Sequence, residues 1–219
     1  MDTRAIIQAI DHTNLDPCAT EEEILAFAAA AQGTGIASLC VQPCYVKALA
    51  QHFPGGVPIC TVVGFPHGCE PAAVKAAAAR HAFAHGASEV DMVAPLGRIK
   101  AGDYSAVQRE VAAVLAERPA GGKVKVILET GALTDAEIIG TVQALNDLDI
   151  DFYKTSTGFG YPGASVHAAE LIMLAKRPEI QLKASGGIRT IEDAEQYLRL
   201  GATRIGASKL LAACLAVQE

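Results

Sequence analysis

The 219-residue sequence contains no tryptophan, and aromatic residues make up 5% of it. Charged residues account for 19%, below the roughly 25% of ordinary globular domains, while 51% of positions are hydrophobic. No run of Lys or Arg occurs and the net charge is −6, which with so few aromatics argues against nucleic acid or an anionic membrane as a partner. No stretch reaches the ~20 consecutive apolar residues of a membrane helix. The opening Met1-Asp2-Thr3-Arg4 lacks the pattern of a secretory signal, so the chain is expected to stay in the cytoplasm. The six cysteines, Cys18, Cys40, Cys44, Cys60, Cys69 and Cys214, include no C-x-x-C pair. A chain of this length buries roughly 70–75% of its unfolded surface and needs neither disulfide nor structural metal, so all six are expected to be reduced. Cys40 and Cys60 lie in apolar runs, where a thiol serves as a small hydrophobe. What remains is one compact domain over residues 1–219 with a small molecule as ligand, and with so little charge that a homo-oligomer is expected.

Short β-branched or apolar runs alternate with segments of helical period, the signal for parallel strands joined by crossover helices. The runs fall near 10–14, 36–41, 58–64, 88–93, 123–129, 151–155, 180–185 and 203–206. Helices are expected near 20–32, 43–53, 71–85, 103–118, 134–147, 165–176, 190–200 and 208–216, after a short extra one at 3–9. Thr20 and Glu23 have capping-box spacing, Pro71 suits a first helical position, and Gly86, Gly121 and Gly201 follow helical runs as left-handed stops. Eight strand-helix units in about 200–250 residues predict an α/β fold of the (β/α)8 TIM-barrel type, with a doubly wound open sheet as the alternative. In such barrels the chemistry sits at the carboxyl ends of the strands.

Lys154 is the anomaly of the sixth run, late in Asp151-Phe152-Tyr153-Lys154-Thr155. It either points into the barrel or snorkels out between helices. Lys183 repeats the oddity in the seventh run, and Asp91 sits among apolar neighbours in the fourth. A lone Lys–Asp pair would be structural, but a second lysine leaves an unneutralised charge. A lysine attacks a carbonyl carbon only as the neutral amine, which at a reference pKa of ~10.4 is about one molecule in 2,500 at pH 7. Removing that handicap takes about 4 kcal/mol, comparable to the repulsion of a second ammonium ~4 Å away at an effective dielectric near 20. Lys183 can supply it. Lys154 would then form a Schiff base as electron sink, with Asp91 or Lys183 moving the protons.

Gly158, Gly186-Gly187 and Gly206-Ala207-Ser208 follow the sixth, seventh and eighth runs, where backbone amides and helix N-termini can cradle a phosphate, with Arg189 and Ser208 as side-chain donors. His81 and His85 have the spacing of a metal pair but stand beside Arg80 with no third ligand, and read as a solvated helix face.

The ordered motifs Asp11-His12-Thr13, Val63-Gly64-Phe65-Pro66, Glu89-Val90-Asp91-Met92-Val93, Ile127-Leu128-Glu129-Thr130, Lys154-Thr155-Ser156-Thr157-Gly158 and Lys183-Ala184-Ser185-Gly186-Gly187-Ile188-Arg189-Thr190 span almost the whole chain. Together they resemble the deoxyribose-phosphate aldolases, class I lyases that work without metal or other cofactor. The resemblance implies reversible cleavage of 2-deoxy-D-ribose 5-phosphate to acetaldehyde and D-glyceraldehyde 3-phosphate, in deoxyribose phosphate catabolism, by a homodimer or homotetramer. It implies Lys154 as the Schiff-base lysine, Asp91 as proton relay and Lys183 as the lysine that tunes the first. It places phosphate contacts at Gly158, Gly186, Gly187, Gly206 and Ser208, with Thr157 and Arg189 near them, and puts Asp11 and Cys40 at the barrel mouth as supporting residues. The chain departs from the family pattern in Lys209, where a second serine is common, in the run Ala94-Pro95-Leu96-Gly97, and in ending Val217-Gln218-Glu219 without a terminal tyrosine. Two rivals differ in chemistry: a Schiff-base barrel aldolase acting on a keto-acid donor, and a non-catalytic barrel that binds sugar phosphates.

Overall fold

A computed structural model describes residues 2–217. The expectation about a terminal tyrosine falls on Gln218 and Glu219, which lie outside the described residues. The elements run α1 (Thr3–Gln8), β1 (Ile10–Asn14), α2 (Glu21–Ala31), β2 (Ser38–Val41), α3 (Val46–His52), β3 (Ile59–Val63), α4 (Ala72–Ala84), β4 (Glu89–Val93), α5 (Leu96–Lys100), α6 (Tyr104–Leu115), β5 (Lys123–Ile127), α7 (Asp135–Leu145), β6 (Phe152–Lys154), α8 (Val166–Ala175), β7 (Gln181–Ser185), α9 (Ile191–Arg199), β8 (Arg204–Ala207) and α10 (Leu210–Ala216). All strand pairs are parallel and β8 closes on β1, so the sheet is a barrel and the open-sheet alternative is excluded.

Strand alternation divides the barrel wall. Val90 and Met92 of β4, Val124 and Val126 of β5, Tyr153 of β6, Leu182 of β7 and Ile205 of β8 join the apolar layer beneath the helices. The opposite parity turns inward, and there the strands are not alike. Cys40, Cys60 and Val62 form a small apolar cluster with Leu15 and Phe65 on the β1–β3 side. The remaining strands send in Glu89, Asp91, Lys125, Lys154, Lys183 and Arg204, all buried. Half the barrel interior is therefore ionic rather than apolar, which a packed structure tolerates only when every charge is paired.

The helix ends follow from local chemistry. Thr20 and Glu23 make the expected capping box, and Thr134 with Glu137 and Thr190 with Asp193 make two more, each satisfying orphan amides of a first turn. Pro71 stands one place earlier than expected, as the residue before α4. Two differences matter for the site. A five-residue helix, α5, begins at Leu96 within the Ala94–Gly97 departure region and is too short to leave a helical period. β5 stops at Ile127, because Glu129 adopts a left-handed backbone (φ 56°) that turns the chain into a 3-10 turn over Thr130–Ala132. No helix among the described residues is long and apolar enough to cross a membrane.

Candidate active site

β6 and β7 lie side by side with Lys154 opposite Lys183, and β4 and β5 with Asp91 opposite Lys125. This register brings the three residues singled out by sequence into direct contact. Asp91 Oδ2 accepts from Lys154 Nζ at 2.8 Å and from Lys183 Nζ at 2.7 Å. Its other oxygen, Oδ1, accepts from Lys125 Nζ at 2.8 Å and from the Cys60 thiol at 3.1 Å. Both lysines therefore point inward rather than between helices.

The cluster extends below Asp91. Lys183 also reaches Asp11 Oδ2 at 2.5 Å, Lys125 reaches Glu89 at 2.5 Å, and Arg204 bridges Asp11 and Glu89, the latter at 3.0 and 3.1 Å. Ser38 donates to Asp11 at 2.7 Å, and the ring of Phe152 lies under the Lys125 ammonium and the Arg204 guanidinium. Burial alone would raise the Asp91 carboxyl, but Lys125, Lys154 and Lys183 hold it well below the usual carboxylate range. Burial likewise opposes charge on Lys183, and Asp11 and Asp91 overcome it, keeping that ammonium charged. Asp11 is held low by Lys183, Lys125 and Arg204 against its burial. The Cys60 thiol is pushed up by burial and by its neighbours, so it stays protonated and donates.

Lys154 stands apart. It is the one member of this cluster that also lines the large cleft at the carboxyl ends of the strands, a space of about 670 Å³. Thr157, Gly158, Gly186, Gly187, Arg189, Gly206, Ser208 and Lys209 line the same cleft. Positive φ at Gly158 (85°), Gly186 (91°) and Gly187 (83°) sets these turns in the region that favours glycine. Gly206 matters for another reason. A Cβ there would come within 2.7 Å of the Ser185 Cβ and 3.1 Å of the Lys183 Cε, so its bareness makes room for the second lysine. The Thr157 side chain is already engaged, donating to Glu129 and accepting from the Phe159 amide at 3.0 Å; it ties the β6–α8 turn down.

Two expectations are corrected. Asp11 and Cys40 do not lie at the mouth: both are fully buried and neither lines the cleft. Alternation from Thr13, which does reach the cleft, puts Asp11 one layer deeper on the same face of β1. Cys60 is more than a small hydrophobe, because its sulfur sits between Asp91 and the Lys125 Nζ, the latter at 3.3 Å. Lys125, Glu89, Arg204 and Glu129 were not among the expected site residues. The first three share the inward parity of Asp91, which is the signal that finds them once the barrel closes.

Cys40, Cys60 and Asp91 place donor atoms within 4.8 Å of one another, as do Asp11, Cys60 and Glu89. In each set the Lys125 ammonium already sits on at least two of the three donors, so a metal cation entering there would have to displace it.

Comparison with known proteins agrees with this geometry. A profile of DeoC/LacD family aldolases matches residues 5–216. A deoxyribose-phosphate aldolase of Listeria monocytogenes is 44% identical over 204 residues, covering 93% of this chain and 92% of the relative. One from Halobacterium salinarum is 43% identical over 208 residues, 95% of each chain. Among solved structures, a deoxyribose phosphate aldolase from Aeropyrum pernix, described as a tetramer, superposes with a TM-score of 0.89 at 32% identity, covering 99% of this chain and 92% of that one. By sequence, by barrel topology and by the lysine–aspartate cluster at the strand ends, the chain belongs to the DeoC/LacD family of aldolases.

Proposed function

We propose that the chain cleaves 2-deoxy-D-ribose 5-phosphate reversibly to acetaldehyde and D-glyceraldehyde 3-phosphate through an imine on Lys154. The observation that carries this reading is the position of the Lys154 amine: on the floor of the cleft, backed by a cluster of charges that the cleft does not touch. The amine attacks the C1 aldehyde and forms a carbinolamine, which loses water to give the iminium. The iminium draws the electron pair of the C2–C3 bond toward nitrogen, the C3 hydroxyl loses its proton, and the three-carbon aldehyde leaves. The remaining two-carbon enamine takes a proton on carbon, and hydrolysis releases acetaldehyde and the amine.

Asp91 relays protons during carbinolamine dehydration and enamine protonation, since its Oδ2 touches the Lys154 amine and the Lys183 ammonium together, while the resting proton of Lys154 leaves into the cleft that this amine borders. Lys183 keeps its charge and orients that oxygen. Along the cleft, the amides around Gly158, Gly186 and Gly187 and the side chains of Arg189 and Ser208 hold the phosphate, with Lys209, which lines the same cleft, adding charge. Gly206 and Thr157, which line the same cleft, stay among the proposed phosphate contacts, and they also shape the site, Gly206 by making room for Lys183 and Thr157 by tying down the turn before Gly158. Residues 1–219 act as one barrel domain that assembles as a homodimer or homotetramer; the low share of charge and the tetrameric relative support assembly.

Incubation of the purified protein with 2-deoxy-D-ribose 5-phosphate, with glyceraldehyde 3-phosphate read by a coupled dehydrogenase, tests the substrate. Turnover is expected with this sugar and absent with keto-acid aldol products. Turnover of the keto-acid product alone would transfer the chain to the rival aldolase class, and binding of the sugar phosphate without cleavage would leave a non-catalytic barrel.

A further inference from the structure

Among the described residues, the ion-paired interior of the barrel holds four cationic side chains, Lys125, Lys154, Lys183 and Arg204, against three carboxylates, Asp11, Glu89 and Asp91. One cation is in surplus. Each carboxylate is shared, but the sharing is uneven. Arg204 holds Asp11 and Glu89, Lys183 holds Asp11 and Asp91, and Lys125 holds Glu89 and Asp91 with Asp11 at 3.6 Å; the part-exposed Lys123, outside this interior set, also reaches Glu89 at 3.6 Å. Lys154 has Asp91 alone, through an oxygen that Lys183 also occupies. Glu129, beyond the end of β5, is tied to Thr157 and forms no ion pair with any of the four. A surplus charge sealed from water is expelled where a proton can escape, and Lys154 alone of the four borders the cleft.

We infer that Lys125, which touches neither the cleft nor Lys154, is a positioning residue for the reaction: by occupying Asp91 Oδ1 and Glu89 it makes Lys154 the amine that gives up its proton. The activation that sequence assigns to the neighbour Lys183 thus belongs to a charge count over the whole interior, in which Lys125 acts alongside Lys183 without touching Lys154.

The inference rests on Lys154 being the imine-forming amine, and borohydride trapping of acetaldehyde on the unaltered protein tests that premise separately. The inference itself is read from the rising limb of kcat/KM against pH in three variants, with folding at each pH followed by circular dichroism. The titratable groups that face Lys154 are Asp91 of β4, Lys183 of β7, Cys40 of β2 and Glu129 after β5, and all are unchanged in these variants. Lys125→Met removes the surplus, so the limb moves up by about one pH unit and kcat/KM at neutral pH falls roughly tenfold. Glu89→Gln enlarges the surplus and moves the limb down. Lys125→Met with Glu89→Gln restores the count, and its limb coincides with that of the unaltered protein. If Lys125→Met does not fold, the other two variants still decide, one by its downward shift and the other by its coincidence. Limbs that superimpose in all variants, or that move the same way for the loss of either charge, overturn the inference while leaving the imine reading intact.

Discussion

Thr157 spends its hydroxyl and its amide on Glu129, a buried carboxylate on a left-handed residue at the end of β5. Burial raises the Glu129 carboxyl, and the bonds from Thr157 offset part of that. Such a backbone costs on the order of 1–3 kcal/mol and persists only where its surroundings hold it. Here it clamps the turn that carries Gly158 into the cleft. Thr157→Val cuts the hydroxyl tie, and KM for the phosphorylated sugar is expected to rise about tenfold with a smaller fall in kcat, as loss of ground-state positioning predicts. Steady-state kinetics separate the two; an effect on kcat alone would move Thr157 into the chemistry. Lys154, Lys183 and Asp91 are legible in the sequence because a charge within an apolar run has few physical excuses. Lys125 is not, since Lys123-Val124-Lys125-Val126 reads as the alternation of a half-solvated strand. Only closure of the barrel turns that polar face inward.

At the scale of elements, the eight strands and their crossover helices are legible because parallel strands buried on both sides stay apolar along the outward parity while helices keep their longer period. Strand ends are less so: β5 and β6 stop short of the apolar runs that predict them, because Glu129 and the turn after Lys154 take the chain out of the sheet. The β6–α8 connection shows what the pattern cannot hold. A Cβ on Gly163 would meet the Gly186 carbonyl oxygen at 2.2 Å, so two loops cross at this point with no room for a side chain. Nothing local in the sequence sets this glycine apart from others. Gly163→Ala is expected to push the Gly186 turn away from the cleft, weakening inhibition by inorganic phosphate about tenfold while trapping at Lys154 continues. Equal loss of both would mean that the crossing supports the whole barrel rather than the anion site.

At the scale of the whole molecule, the carboxylates of the barrel interior sit where acid reaches them only by breaking that interior. Asp11, Glu89 and Asp91 all have folded-state values below their unfolded ones. Their contribution to stability is therefore full above about pH 4–5 and is lost as pH falls toward the folded values. His12, stacked on Phe27 outside the barrel wall, is pushed down by burial from 6.5 to about 4. The unfolded chain binds a proton there first, so this contribution is full above about pH 6.5 and is lost between that pH and about 4. Thermal melts should show a gradual decline through this interval followed by a steep one below it, and His12→Phe should flatten the first part alone. Asp11→Asn leaves Lys183 and Arg204 short of a partner, with an expected loss of about 3–5 kcal/mol and a melting temperature lower by about 10 °C. A melting temperature unchanged by that substitution would mean that the interior takes up water and the charges are not sealed.

Which amine meets the aldehyde decides everything built on the barrel interior. Borohydride reduction in the presence of acetaldehyde, followed by peptide mapping, should place a two-carbon adduct on Lys154 and on neither Lys125 nor Lys183; an adduct on one of those two, or none at all in folded protein, would contradict it.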